Sequence, residues 1–258
     1  MKRSFTFLGT GTSQGIPVIG CDCDVCRSSD PKDKRLRVAG LVTFGEHRIS
    51  VDAGPDFRQQ MLSQNVKSLE AILLTHEHND HIIGLDDIRP LYFRQKVDMP
   101  VYGLERVLAE VRERFSYFFL ENRYPGVPRI ELHPISKETT FFIQGMPIVP
   151  IEVMHGKMPI MGYRFGDLVY ITDAKSISEE ETKKIIGCKT LIINALHHRV
   201  HHSHFNLDEA LAFIEKVQPE RAWLTHMSHI MGLHHQVNPK LPQNVSLAYD
   251  GLTIDFVC

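Results

Sequence analysis

Seven consecutive residues, Thr75-His76-Glu77-His78-Asn79-Asp80-His81, constrain this 258-residue chain more than any other stretch. They follow Ala71-Ile72-Leu73-Leu74, an apolar run with the length and branching of a buried strand. A strand end fixes the backbone, while the turn after it is free to splay its side chains. Three imidazoles and a carboxylate then fall within six residues: His76, His78, Asp80 and His81. Imidazole nitrogen and carboxylate oxygen are ordinary ligands of Zn²⁺ and related ions. Four of them on one turn cannot all close around one ion without strain, so a pair of ions sharing the turn is the easier geometry. A solvated loop is the ordinary setting of an isolated histidine, but not of a run placed where an apolar strand stops.

Three more apolar runs end on a ligand-type residue: Val153-Met154-His155, Val169-Tyr170-Ile171-Thr172-Asp173 and Ala222-Trp223-Leu224-Thr225-His226. Strand ends of one sheet face one rim, so these residues are expected to meet the turn. The chain also holds 15 histidines and five cysteines, and Cys21, Cys23 and Cys26 sit within six residues. An odd count in one cluster argues against a secreted disulfide framework. A Cys21–Cys23 bridge would be badly strained. Three thiolates on a tight turn suit a structural Zn²⁺, whose closed site needs a fourth ligand from elsewhere. Cys188 and Cys258 are isolated and read as inert.

Thirteen short β-type runs lie between residues 4 and 257, with helical patterns at 55–64, 104–115, 178–186 and Leu207–Val217. Asn206 suits the N-cap of the last helix, with Glu209 placed as in a capping box. So many strands are too many for one comfortable open sheet, and two sheets packed together in an α/β layered domain are expected. No repeat or composition shift divides the chain, so 1–258 reads as a single domain. The weakly patterned stretch 96–133 reads as an insertion or lid. The formal net charge of −2 argues against a broad electrostatic grip on nucleic acid. No apolar run approaches the roughly 18 residues of a membrane span. The Met1-Lys2-Arg3 start does not read as a secretory leader, so a soluble, cytoplasmic protein is expected.

The run His76-x-His78-x-Asp80-His81, followed in order by His155, Asp173 and His226, resembles the signature of the metallo-β-lactamase superfamily. That superfamily includes glyoxalase II, lactonases, tRNase Z and assorted phosphodiesterases. The resemblance implies a four-layer αββα sandwich with a dinuclear site at one edge. Carried over by position, one ion takes His76, His78 and His155, the other takes Asp80, His81 and His226, and Asp173 bridges them. The loop Phe7-Leu8-Gly9-Thr10-Gly11-Thr12-Ser13-Gln14-Gly15-Ile16-Pro17 and the following Gly20-Cys21-x-Cys23-x2-Cys26 narrow the likeness. They are similar to the PhnP-like phosphoribosyl 1,2-cyclic phosphate phosphodiesterases of the tRNase Z-like branch. By that resemblance a structural Zn²⁺ sits on a loop at 20–30, held by Cys21, Cys23, Cys26 and His229. His204 becomes a general acid. A quinone-cofactor pathway family carries a similar cysteine run, so the cluster by itself does not fix the substrate.

The chemistry this implies is hydrolysis of a small phosphodiester, such as a cyclic sugar phosphate, with two divalent ions, Zn²⁺ or Mn²⁺, holding a bridging hydroxide. His204 protonates the leaving oxygen and Asp80 helps orient the hydroxide. Relatives imply a homodimer. A tRNA 3′-processing endonuclease and a thioester or lactone hydrolase are rivals within the same fold, and a non-catalytic metal-stabilised binding module is a rival outside enzymology. The remaining histidines of 197–202 read as surface residues or as ordering contacts around the site, and His234 and His235 as helix-surface residues, with substrate contact the alternative. Arg27, Lys32, Lys34, Arg35 and Arg37 read as a solvated basic loop, with a phosphate-attracting rim beside the site as the alternative.

Overall fold

The computed structural model describes residues 3–122 and 124–257. Seven strands build the first sheet: β1 (Arg3–Gly9), β2 (Ala39–Phe44), β3 (His47–Val51), β4 (Ala71–Leu73), β5 (Met99–Gly103), β6 (Ile130–Pro134) and the late β14 (Thr253–Asp255), in the order β14-β1-β2-β3-β4-β5-β6. The second holds β7 (Phe141–Ile143), β8 (Met146–His155), β9 (Met158–Phe165), β10 (Leu168–Tyr170), β11 (Thr190–Asn194), β12 (Arg221–Thr225) and β13 (Val245–Leu247), in the order β13-β12-β11-β10-β9-β8-β7. Eight α-helices connect them among the described residues: α1 (Asp24–Arg27), α2 (Phe57–Ser63), α3 (Asn79–Ile82), α4 (Arg89–Gln95), α5 (Glu105–Arg114), α6 (Glu179–Ile185), α7 (Leu207–Val217) and α8 (His234–Val237).

Side-chain alternation along the strands produces the layers. On β4 and the residue after it, Ala71 and Leu73 face the other sheet, while Ile72 and Leu74 face the helices. On β11, Ile192 points between the sheets, while Leu191 and Ile193 point outward. Buried on both faces, such strands read as continuous apolar runs. Three apolar clusters result. One lies between the sheets, around Phe5, Phe7, Tyr163 and Tyr170. One lies under α2 and α5, and one under α6 and α7. Three interfaces separate four layers, the αββα sandwich expected.

The stretch 96–133 is built into this frame. It supplies β5 and β6, which extend the parallel run β3-β4-β5-β6, and α5, whose Val107, Leu108 and Val111 are buried against it. A polar outer face and an edge position hide this stretch from hydrophobic patterning. Asn206 caps α7 and, with Glu209, completes the capping box. Two surface readings are corrected by the packing. Arg35 is buried and donates to Thr10 Oγ1 and the Ala248 carbonyl. His234 is buried, with its ring edge-on to Tyr249 and its backbone N–H on Asp33. In both, spacing along the chain could not reveal that the C-terminal segment folds back over the N-terminal loop. Cys188 is buried, and burial pushes its thiol up to about 11. Met1, Lys2 and Cys258 lie outside the described residues. Among the described residues, no helix is long and apolar enough to cross a membrane.

Candidate metal centre

The sheets run out at one rim, and the ligand-type residues collect there. β4 ends in the turn 75–81, β8 ends in His155, β10 is followed by Asp173, and β12 is followed by His226. β10, β11 and β12 are mutually parallel, and β8 runs in the same direction because two antiparallel steps separate it from β10. Carboxyl ends of parallel strands are where ligands bind in open α/β sheets. Asp173 and His226 take the left-handed backbone region, with φ of 57° and 55°. That conformation costs a non-glycine residue about 1–2 kcal/mol. Gly54 is required for a different reason, because a Cβ there would lie 1.9 Å from the Asp80 carbonyl oxygen.

The imidazoles pack as a cluster. Ring centroids are 4.6 Å apart for His76 and His78, 5.1 Å for His78 and His155, and 5.6 Å for His76 and His155. The second group gathers around Asp173. Its Oδ1 lies 3.0 Å from His226 Nε2 and its Oδ2 lies 3.5 Å from His81 Nε2, while Asp80 Oδ2 is 3.4 Å from His81 Nε2. Yet His81 Nε2 and both ring nitrogens of His226 are buried without a hydrogen-bond partner. Atoms that crowd together and still do not pair are aimed at a common point, as ligands of a cation are. His76, His78 and His155 form one convergent set, and Asp80, His81 and His226 another.

Other contacts fix which nitrogen each ring presents. His155 Nδ1 lies 2.9 Å from the Asp173 carbonyl and 3.0 Å from that of Ser203. Carbonyls only accept, so Nδ1 carries the proton and Nε2 keeps its lone pair for the rim. His81 Nδ1 lies 2.7 Å from Asp52 Oδ2, which leaves Nε2 facing Asp173. Asp52 went unsingled in the sequence. It follows β3 with a left-handed φ of 66°, is fully buried, and also accepts from the Thr75 N–H and hydroxyl. Its signal was available in Val51-Asp52-Ala53-Gly54, one more apolar strand ending in an acid.

Electrostatics follow the same division. Burial, then the positive charge of His81, holds the His76 imidazole well below its ordinary value. Burial also lowers His78, with His155 adding to it. Burial opposes charge on His81 too, but Asp52, Asp173 and Asp80 outweigh it and raise that imidazole. Asp173 is the converse: burial disfavours its ionisation, yet His226 and His81 hold it well below the carboxylate range. Ionised carboxylates beside the His76 and His78 rings kept neutral are donors a divalent cation binds, and a cation in place of the His81 proton would meet the same carboxylates that raise that ring.

A cleft of about 350 Å³ opens over these groups, lined by His78, Asp80, His155, Asp173 and His226 and by Thr12, Ser13, Leu196, His201 and His204. His204 sits with its Nε2 3.1 Å from Asp173 Oδ1 and its ring stacked on His226 at 4.9 Å. Its Nδ1 faces Ser203 Oγ at 3.0 Å and His201 Nδ1 at 3.1 Å. His201 thus reaches the cleft as a contact ordering His204, the second of the two readings its loop allowed, because the loop 197–204 folds over the cleft. His197 is buried, and His198 bonds the Met231 carbonyl. Thr12 reaches the lip because its N–H bonds the Met227 carbonyl while the Met227 N–H bonds Thr10.

A second centre stands behind the first. Cys21, Cys23 and Cys26 present their sulfurs 3.3, 3.3 and 3.7 Å from His229 Nδ1. A tetrahedral Zn²⁺, about 2.3 Å from sulfur and 2.0 Å from nitrogen, sets those atoms roughly 3.5 Å apart, so the four residues fit it. Burial opposes the Cys23 thiolate, but a backbone hydrogen bond at Cys26 and the bond to His229 bring that thiol down to about 6. Burial keeps Cys26 up at about 11.

The profile of the beta-lactamase superfamily domain matches residues 47–227. An octanoyltransferase from Porphyromonas gingivalis is 40% identical over 247 residues, 95% of this chain and 50% of that protein. The chain spans about half the length of the curated relatives it matches. Among solved structures, a diphosphatase from the PhnP family superposes with a TM-score of 0.93 and 38% identity, over 99% of this chain and 98% of that one. The short form of human tRNase Z superposes with a TM-score of 0.72 at 18% identity, over 97% and 98% of the two chains, and so shares the fold.

Proposed function

Since this chain belongs to the metallo-β-lactamase superfamily, in the branch that holds the PhnP-family diphosphatase and tRNase Z, we propose that it is a dinuclear metal-dependent hydrolase of a small phosphodiester, such as a cyclic sugar phosphate. The observation that carries this reading is the convergence of unpartnered ring nitrogens and ionised carboxylates beneath a small cleft. His76, His78 and His155 would hold one ion and Asp80, His81 and His226 the other, with Asp173 between them. Zn²⁺ or Mn²⁺ in those places supplies Lewis acidity and a water of lowered pKa. The cysteine loop with His229 takes a structural Zn²⁺.

The chain's own residues do the rest. Asp52 and the Asp173 and Ser203 carbonyls hold His81 and His155 in the tautomers that present Nε2. Asp80, with its carboxylate at the cleft wall, orients the attacking water. His204 stands at the cleft edge, 13% exposed, and delivers a proton from Nε2 to the departing alkoxide. Burial pushes its imidazole down to about 4, against the hydrogen bond it donates to Asp173. A bound phosphodiester brings a negative charge that favours the protonated ring. We read the protein as a cytoplasmic homodimer.

Turnover of bis-p-nitrophenyl phosphate by the Mn²⁺- or Zn²⁺-loaded protein tests this reading, alongside a cyclic ribose phosphate, S-lactoylglutathione and precursor tRNA. Hydrolysis of the first two is expected. No phosphodiester turnover with metal bound would refute the reading, and cleavage of the thioester or the tRNA alone would replace it. Octanoyl transfer is named for a protein of which this chain spans half, and the thioester arm addresses acyl chemistry directly.

A further inference from the structure

We propose that Arg106 is a positioning residue that sets the spacing between the turn carrying His76 and His78 and the hairpin carrying His155, and so governs the filling of one of the two cation sites. The inference rests on the reading of those three histidines as ligands of one ion.

The three belong to separate elements. His76 and His78 lie on the turn after β4. His155 closes β8, where it pairs with Met158, and Met154 pairs with Pro159 on β9. One backbone link joins β9 to the start of the turn, from the Met161 N–H to the Thr75 carbonyl. Just before the turn, the Tyr163 hydroxyl on β9 donates to the Leu74 carbonyl, and Arg106 adds the tie that reaches the turn between its two histidines. Its Nη1 donates to Glu77 Oε1, between His76 and His78, and its Nη2 donates to the Pro159 carbonyl. One planar guanidinium therefore holds both ligand-bearing elements. Glu77 Oε2 and Arg106 Nε are buried with no further partner. The side chains are only 18% and 34% exposed, so water does not readily replace this link.

Arg106 also stands in the first turn of α5, where the helix dipole disfavours a cation. Stability of α5 does not account for it. A lysine cannot reproduce two divergent N–H bonds from one planar group. Arg114, on the same helix, bonds Asn79 of the same turn, but its other bonds go to Glu110 on α5 itself. It touches the turn without bridging it to β9.

The test titrates Mn²⁺ into the dinuclear site with Zn²⁺ retained in the cysteine loop, following bound metal by dialysis and the spin system by electron paramagnetic resonance. The wild-type protein is expected to take two ions and show an exchange-coupled spectrum. Arg106→Ala should take the first ion normally and need at least tenfold more free Mn²⁺ for the second, passing through an isolated six-line spectrum. Arg106→Lys should behave like the alanine variant, and Arg114→Ala like the wild type. Circular dichroism reports folding, and the lysine variant carries the test if the alanine variant unfolds. Two ions bound with wild-type affinity in both Arg106 variants, or equal weakening of both ions, overturns the inference and leaves the ligand reading intact. Failure of the wild-type protein to bind a pair overturns the ligand reading instead.

Discussion

A metal-ligating histidine commonly has its other nitrogen held by an acceptor, and Asp52 holds Nδ1 of His81 in that way. Removing such a partner commonly costs 10–100-fold in metal affinity. Asp52→Ala should therefore weaken cation binding by about that factor, read by metal titration, while Asp52→Asn, which keeps an acceptor, loses less. His204 makes a different demand, since a proton on its Nε2 matters only when the leaving group is poor. His204→Ala should slow a sugar-phosphate ester far more than a nitrophenyl ester, and equal losses on both would remove it as the acid. Asp250 offers a pH test away from the rim. It is half-buried, accepts from Thr10 Oγ1 and the Leu36 N–H, and desolvation raises it from 3.8 to about 6. Between those values the folded chain keeps a proton that the unfolded chain has released. Stability from this group is thus full below pH 3.8, falls as pH rises towards 6, and stays flat above, a loss of about 3 kcal/mol at most. Denaturant unfolding of wild type and Asp250→Asn across that window should show the falling slope only in the wild type.

At the scale of elements, α7 was the most legible. Its apolar face at Leu207, Ala210 and Ile214, the Asn206 cap and Glu209 all stand in the sequence at helical spacing, and all are found in place. Asn206→Ala should lower stability by about 1 kcal/mol, seen as a lower denaturant midpoint with unchanged slope. The cap itself lies two residues beyond His204, with the helix starting at Leu207, so this variant also tests how rigidly that ring is held. β6 was illegible. Its Ile130-Glu131-Leu132-His133-Pro134 has no fully buried position, and an edge strand leaves little alternation to read. The turn 75–81 was legible as a ligand run, but Arg106 was not, because a lone arginine in an exposed helical pattern looks like any other solvated charge.

On the scale of the molecule, the cysteine loop fastens the N-terminal segment to the stretch after β12. His229 lies three residues beyond His226, so the same segment serves both centres. Cys23→Ala, or chelation of the cation proposed for the cysteine loop, should raise amide exchange through 16–30 and 227–235 while the central strands β4 and β11 stay protected. Uniform loss of protection would show that the loop holds the whole fold. The ligand-type residues, their order, and the strand ends that carry them were determined by the sequence, because apolar runs and the residues ending them are local properties. Which nitrogen each ring presents, the burial of Arg35 and His234, the reach of His201 into the cleft and the bridge through Arg106 were decided by tertiary structure. Each depends on a partner far away in the chain, and distance along the chain carries no record of which surfaces fold onto one another.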